Sequence, residues 1–168
     1  MSVMIHARGT LRLMSRSDEL VAAWRALLLA QNAVLRAIDE DLAAAGGVPI
    51  HVYDVLLELN AAPHRRLRMK DLASRTVLTR SRISKLVDEL AADGFVERHA
   101  DASDGRGSFV VITSTGRAAL RRSAPIYLES IDHHFMSHLL AGEAERLTAA
   151  LERVVAGHQP RITTRASR

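Results

Sequence analysis

Apolar residues recur every three to four positions from Leu20 through Trp24, Leu27, Leu28, Leu35 and Ile38 to Leu42, the period of one helix face. The spacing predicts a helix over residues 18–45, with Ser17 as N-cap, Asp18 and Glu19 in the first turn and Gly46-Gly47 at the end. At 1.5 Å per residue such a helix is roughly 40 Å long, more than a small lobe can cover, so its stripe calls for a partner helix. Pro49 opens a second helix near residues 50–61, with Val52, Val55, Leu56 and Leu59 on one face, and Pro63 closes it. Residues 69–75 read as a short helix with Leu72 and Ala73 inward. Thr79 then caps a helix to about Asp93 whose Ile83, Leu86, Val87 and Leu90 fall at i, i+3, i+4 and i+7.

Past Gly94 the period changes. Phe95 to Arg98 alternate like a strand, residues 101–107 form a polar turn, and Ser108 to Thr113 hold Phe109, Val110, Val111 and Ile112, so the pair reads as a β-hairpin. Thr113 caps a further helix with Leu120, Tyr127, Leu128, Ile131 and Phe135 in register, which Pro125 is expected to kink or break near Arg121. A last helix over 142–156 runs through Ala144, Leu147, Leu151 and Val154, and the tail from Gly157 is expected to fray. The order helix, short helix, turn, helix, hairpin is that of a winged helix-turn-helix. The fold class is mainly α with a small β-hairpin.

The 168 residues are 48% hydrophobic and 25% charged, enough apolar content for a core. The absence of cysteine excludes disulfides, thiolate metal sites and cysteine nucleophiles. No uninterrupted run of about 18 apolar residues is present and no apolar stretch follows Arg8, Arg12 and Arg16, so neither a membrane span nor a signal peptide is expected. The expected location is cytoplasmic and nucleoid-associated. The sequence has no Gly-rich phosphate loop after a strand, no Gly-x-Ser-x-Gly elbow and no paired carboxylates near an isolated histidine, which argues against an enzyme and implies no cofactor.

The net charge of +4 hides an asymmetry. Residues 17–62 carry seven acids against Arg25 and Arg36, whereas residues 63–85 carry Arg65, Arg66, Arg68, Lys70, Arg75, Arg80, Arg82 and Lys85 against Asp71 alone. Apolar residues interrupt the basic block regularly, so it reads as a structured cationic face suited to nucleic acid. The helix after Thr79 buries its apolar stripe and presents Ser81, Ser84, Lys85 and Asp88 on its other side, with Arg80 and Arg82 near its N-terminus. A helix of this width fits the major groove of double-stranded DNA, where arginine pairs with the guanine edge and Ser or Thr meets base or phosphate. Met69, Lys70 and the preceding arginines would lie along the backbone. Arg106, between Gly105 and Gly107, is suited to a narrow minor groove. Asp104 would orient a nearby arginine, either Arg106 or one from the helix. The blander alternative makes Arg80 and Arg82 surface residues in weak salt bridges to Asp88 or Asp104.

Met69-Lys70-Asp71-Leu72-Ala73, the run Leu78 to Leu90, Gly94-Phe95-Val96-Glu97-Arg98, the Asp104-x-Arg106 wing and the exit Ile112-Thr113 with Gly116 together resemble the MarR family of bacterial transcription regulators over roughly residues 18–156. The resemblance implies a symmetric homodimer on a pseudo-palindromic operator. Residues 1–47 and 114–156 would form the helical dimerisation region, 48–113 the winged helix-turn-helix DNA-binding lobe and 157–168 a basic flexible tail. Its members are mostly repressors, often relieved by a small aromatic or anionic effector or by oxidation. Without cysteine, thiol sensing is excluded here.

A family-type pocket, where the dimer helices meet the DNA-binding lobe, has Trp24, Gln31, His51, Tyr53 and Asp54 as candidates. Trp24 would stack on an aromatic ligand and His51 would bind its anion, although Trp24 also reads as core and His51 as plain surface. His134 and His138 stand four apart beside His133, a spacing that binds metal from one helix face, with Asp132 or Glu129 as added carboxylate. The alternatives are therefore a zinc-responsive regulator of the same fold, or a winged-helix protein-interaction module without DNA affinity.

Overall fold

The structure is a computed structural model that describes residues 16–76, 78–100 and 107–158. Helix α1 spans Arg16–Ala44, so Ser17 lies inside the helix rather than capping it. Gly46, at φ 70°, turns the chain. Helix α2 spans Ile50–Ala61, and its N-cap Pro49 offers no side-chain acceptor. Asp39 on α1 supplies one instead, accepting the Ile50 N–H at 2.7 Å. The cap thus comes from across the turn and fixes α1 against α2.

After α2 the chain passes through a short 3-10 turn in which His64 and Arg65 both have left-handed φ, 54° and 55°. Strand β1 follows at Arg66–Arg68, then α3 at Met69–Arg75 and α4 at Arg80–Ala92. The Thr79 side chain accepts the Arg82 N–H, the expected cap. Strands β2 (Val96–Ala100) and β3 (Ser108–Ile112) follow, then α5 (Ser114–His134) and α6 (Glu143–His158). The expected hairpin gains a third strand, because β1 pairs antiparallel with β3 to give the order β1-β3-β2.

The main core lies between this sheet and helices α2, α3, α4 and the start of α5. Val55, Leu56, Leu59, Leu72, Ile83, Val87, Leu90, Val96 and Val110 fill it. A smaller cluster of Ile38, Leu42 and Ile50, flanked by Val34, Ile126 and Ile131, joins α1, α2 and α5. Thr113 ties the start of α5 to the turn after α4: its hydroxyl donates to the Gly94 carbonyl at 2.7 Å and accepts the Gly116 N–H at 3.0 Å.

Two expectations change. Pro125 lies inside a continuous α5 and does not break it. An interior proline costs about 3 kcal/mol, but Leu120 and Ser123 before it and Ser130 after it are buried, so packing holds both halves. Trp24 is not core: it is 60% exposed, with Leu20, Val21, Leu28 and Leu29 open beside it. In α6 no residue is buried. Finally, Ser17–Ala44 contains 18 residues of mean hydropathy 1.2, so by length and composition α1 could cross a bilayer although no unbroken apolar run exists.

Candidate nucleic-acid interface

The recognition candidates gather on the outer side of α4. Its buried stripe, Ile83, Leu86, Val87 and Leu90, anchors it to the core. That leaves Ser81, Arg82 and Lys85 exposed and Ser84 half-buried. Thr79 is exposed at the N-cap, and Lys70 is exposed in the first turn of α3. No acid occupies the first turn of α4, so the partial positive charge of its N-terminus is uncompensated there. Arg80 sits at the start of α4, but its side chain, together with Asp104 and Arg106, lies outside the described residues.

Charge along α4 is graded. Arg82 and Lys85 occupy its N-terminal half, Asp88 and Glu89 the C-terminal half. Both acids are engaged. Lys85 Nζ lies 3.7 Å from Glu89 Oε1, an exposed i,i+4 pair worth about 0.3–0.5 kcal/mol. Asp88 Oδ1 lies 3.3 Å from Arg98 Nη1, and Arg98 Nη2 donates to Ser84 Oγ at 3.3 Å. Arg98 comes from β2, so it joins the wing sheet to two positions one turn apart on α4. The partner of Asp88 is therefore Arg98, not the Arg80 or Arg82 of the blander surface reading. Period-two alternation was the available signal, because it sets Arg98 on the same side of the strand as the buried Val96.

The candidate ligand residues are spread out. His51 lines an open cleft of about 390 Å³ with Leu78, Arg82, Lys85, Leu86 and Glu89. Tyr53 is buried and stacks on Tyr127 with ring centroids 4.3 Å apart. Burial, and next the charge of Asp54, raises the Tyr53 hydroxyl above its ordinary value. Asp54 is itself half-buried, and burial followed by repulsion from Glu58 raises its carboxyl. Trp24 and Gln31 are exposed on α1.

His134 and His138 do not share a helix. Phe135 leaves α5 with φ −133° and ψ −61°, and His138 lies in a separate 3-10 turn. His134 Nε2 is instead 2.9 Å from Asp41 Oδ2, which also accepts the Ser130 hydroxyl. Those two hydrogen bonds, Ser130 first, hold the Asp41 carboxyl below its ordinary value. Among the described residues no group of three histidine or acidic side chains could hold a metal ion.

Comparison with known proteins gives a consistent result. The MarR family profile matches residues 46–107. The chain is similar to Sco3205, a MarR family transcriptional regulator from Streptomyces coelicolor solved in complex with DNA, at 33% identity and a TM-score of 0.78, covering 89% of this chain and 92% of that one. It is also similar to AbsC, a MarR family transcriptional regulator from the same organism, at 28% identity and a TM-score of 0.76, covering 87% of this chain and 97% of that one. Over 88 residues it is 33% identical to the HTH-type transcriptional repressor YetL of Bacillus subtilis, a match that spans 52% of this chain and about half (53%) of the length of YetL. The fold, the α4 stripe and cap, and a relative 33% identical and covered over 92% of its chain lead to one conclusion: the chain belongs to the MarR family, whose members are transcriptional regulators and not enzymes.

Proposed function

We propose that this chain is a homodimeric, sequence-specific regulator that binds double-stranded DNA, with α4 in the major groove and the β2–β3 wing at the adjacent minor groove. One observation carries the reading: the N-terminal half of α4 presents Arg82 and Lys85 outward from a helix whose other side is fully buried. Thr79, Ser81 and Ser84 flank them as phosphate or base partners, Lys70 approaches the backbone from α3, Arg80 and Arg106 add further cations, and Asp104 orients a nearby arginine. The similarity to Sco3205, which was solved in complex with DNA, supports DNA as the partner.

The open apolar faces of α1 and α6 support pairing with a second copy, and the same use accounts for the hydropathy of Ser17–Ala44 without a bilayer. Residues 1–47 and 114–156 then form the dimerisation region and 48–113 the DNA-binding lobe. Two-fold symmetry makes the operator pseudo-palindromic. The location is cytoplasmic, on the nucleoid. We assign a repressor sense, relieved by a small anionic aromatic compound. In support, the cleft beside His51 combines the cations of Arg82 and Lys85 with apolar Leu78 and Leu86, so an anion seated there would compete with DNA for the same two side chains.

The test is a salt-titrated gel shift on duplexes that the protein selects from a random pool. Steep linear loss of log affinity with log salt is expected. Arg82→Ala is expected to cost about 1–3 kcal/mol, with relaxed preference at one base pair if Arg82 reads a base. Binding indifferent to salt, or unchanged in Arg82→Ala, refutes the assignment.

A further inference from the structure

Arg98 meets two polar side chains of α4 at once. It stands in one cross-strand row with Leu67 and Val110, both buried. Alternation therefore sends its stem out of the inner side of the sheet, toward α4. There the fork divides: Nη1 lies 3.3 Å from Asp88 Oδ1, and Nη2 donates to Ser84 Oγ at 3.3 Å. Ser84 and Asp88 are one turn apart on α4, outside the buried stripe of Ile83, Leu86, Val87 and Leu90. Ser84 is half-buried and Asp88 exposed, so both stay within reach of a duplex.

A serine hydroxyl has one hydrogen to donate and two lone pairs to accept with, and it rotates to suit its partners. At Ser84 a guanidinium N–H, which can only donate, takes one lone pair. The positive charge of the fork turns the hydroxyl hydrogen away from it. Among the described residues this hydroxyl has no second partner, so the hydrogen is left for the groove. Accepting from a cation also strengthens it as a donor, because hydrogen bonds in series polarise one another. Asp88 is affected in the complementary way. A carboxylate on a recognition helix accepts from the N4 amino group of cytosine, and Asp88 Oδ1 is turned onto Arg98 instead. One arginine thus biases two neighbouring side chains against accepting from a base.

The major-groove edges differ in what they offer. Guanine shows the acceptors N7 and O6 and thymine the acceptor O4, whereas cytosine shows the N4 donor. We infer that Arg98 is a positioning residue that sets Ser84 as a hydrogen-bond donor to the major-groove edge, so that one base pair in each half-site is chosen for guanine or thymine and against cytosine. This deepens the DNA-binding reading above and rests on it. Ser84 makes the contact and Arg98 acts through it.

The experiment selects duplexes from a random pool with the full chain, then measures affinity for all four bases at each position of the selected site. Ser84→Ala identifies the pair that Ser84 reads. Preference there is expected to flatten by about three- to tenfold, the worth of one hydrogen bond, with the other pairs unchanged. Arg98→Ala keeps Ser84 but frees its hydroxyl and the Asp88 carboxylate, and is expected to raise the relative affinity for cytosine at that same pair by a similar factor. Arg98→Lys keeps a cation without the fork and is expected to fall between. These are surface positions, so melting temperatures should stay close to wild type. An Arg98→Ala protein that binds every sequence more weakly by one factor, with the cytosine penalty intact, makes Arg98 a brace alone and overturns the inference. A wild type that prefers cytosine at the Ser84 pair overturns it too. So does a Ser84→Ala protein with wild-type base preferences throughout, which would place Ser84 on phosphate. In these three cases DNA binding itself stands. Wild type that selects no duplex overturns the DNA-binding reading with it.

Discussion

Replacing Gly116 with alanine tests the joint between the wing and α5. A Cβ at this position would fall within the van der Waals envelope of the Phe95 carbonyl oxygen, 2.9 Å from Ile112 Cγ1 and 3.1 Å from the Phe95 carbonyl carbon. The obstacle is backbone, and it is pinned: Phe95 O accepts the Thr113 N–H at 3.0 Å. Ile112 is buried and has little room to rotate. The first turn of α5 must therefore lift away from the α4–β2 turn, stretching the cap in which Thr113 Oγ1 accepts the Gly116 N–H. Overpacking against a fixed wall costs about 1–3 kcal/mol, and a weakened cap adds about 1 kcal/mol. Alanine recovers about 1 kcal/mol through helix propensity. The net expectation is a loss of about 1–3 kcal/mol, read as a lower urea midpoint at fixed protomer concentration with the slope unchanged. A Gly116→Ala protein as stable as wild type, or more so, refutes the close approach of α5 to Phe95.

Further substitutions probe other parts of the molecule. Leu28→Glu places a charge where a side chain 44% exposed on α1 is to meet its copy. The loss, about 1 kcal/mol of apolar burial plus charge desolvation, counts twice in a symmetric pair, so sedimentation should show a monomer, and an unchanged dimer speaks against α1 as the interface. Asp54→Asn should stabilise the protein at neutral pH. Burial, then Glu58, raises the folded-state carboxyl, so the proton is held more tightly when folded, and stability declines as pH rises through the raised value; melting temperatures should converge in acid. Asp41→Asn should do the opposite. Its carboxyl is lowered by Ser130 and then His134, so the stability it gives is present above the ordinary carboxylate range and disappears as pH falls through the lowered value. A variant whose melting temperature tracks wild type at every pH removes that linkage.

Elements governed by local chemistry were legible in the chain. Pro49 and Pro63 bracket α2, and Thr79 and Thr113 cap α4 and α5, because caps and prolines act within a turn. Strand β1 was not legible. Arg66–Arg68 holds one apolar residue and is a strand only by pairing with β3, which lies more than forty residues on in the chain. The α1 stripe is open in the single chain, Trp24 included, and periodicity does not say what covers it. The histidine spacing failed for a local reason: an i,i+4 pair faces one side only while the helix persists, and α5 ends at His134. Within the site, residue types predicted the cations of α4 but not the partner of Asp88, since Arg98 reaches it from another element.

That partner bears on how α4 can meet DNA. A recognition helix lying flat in a groove would bring Asp88 and Glu89 as close to phosphate as Arg82 and Lys85, and like charges at that range oppose binding. The gradient along α4 instead favours a tilted approach with the N-terminal end deepest, where the helix dipole and both cations point the same way. Arg98 makes the tilt tolerable. It offsets the charge of Asp88 and, through Ser84, holds β2 at a fixed angle to the helix. The pair is too exposed to add much stability, with Asp88 62% accessible. Its effect is geometric: Arg98 fixes where β2 sits against α4, and on the proposed docking that angle would set how both meet the duplex.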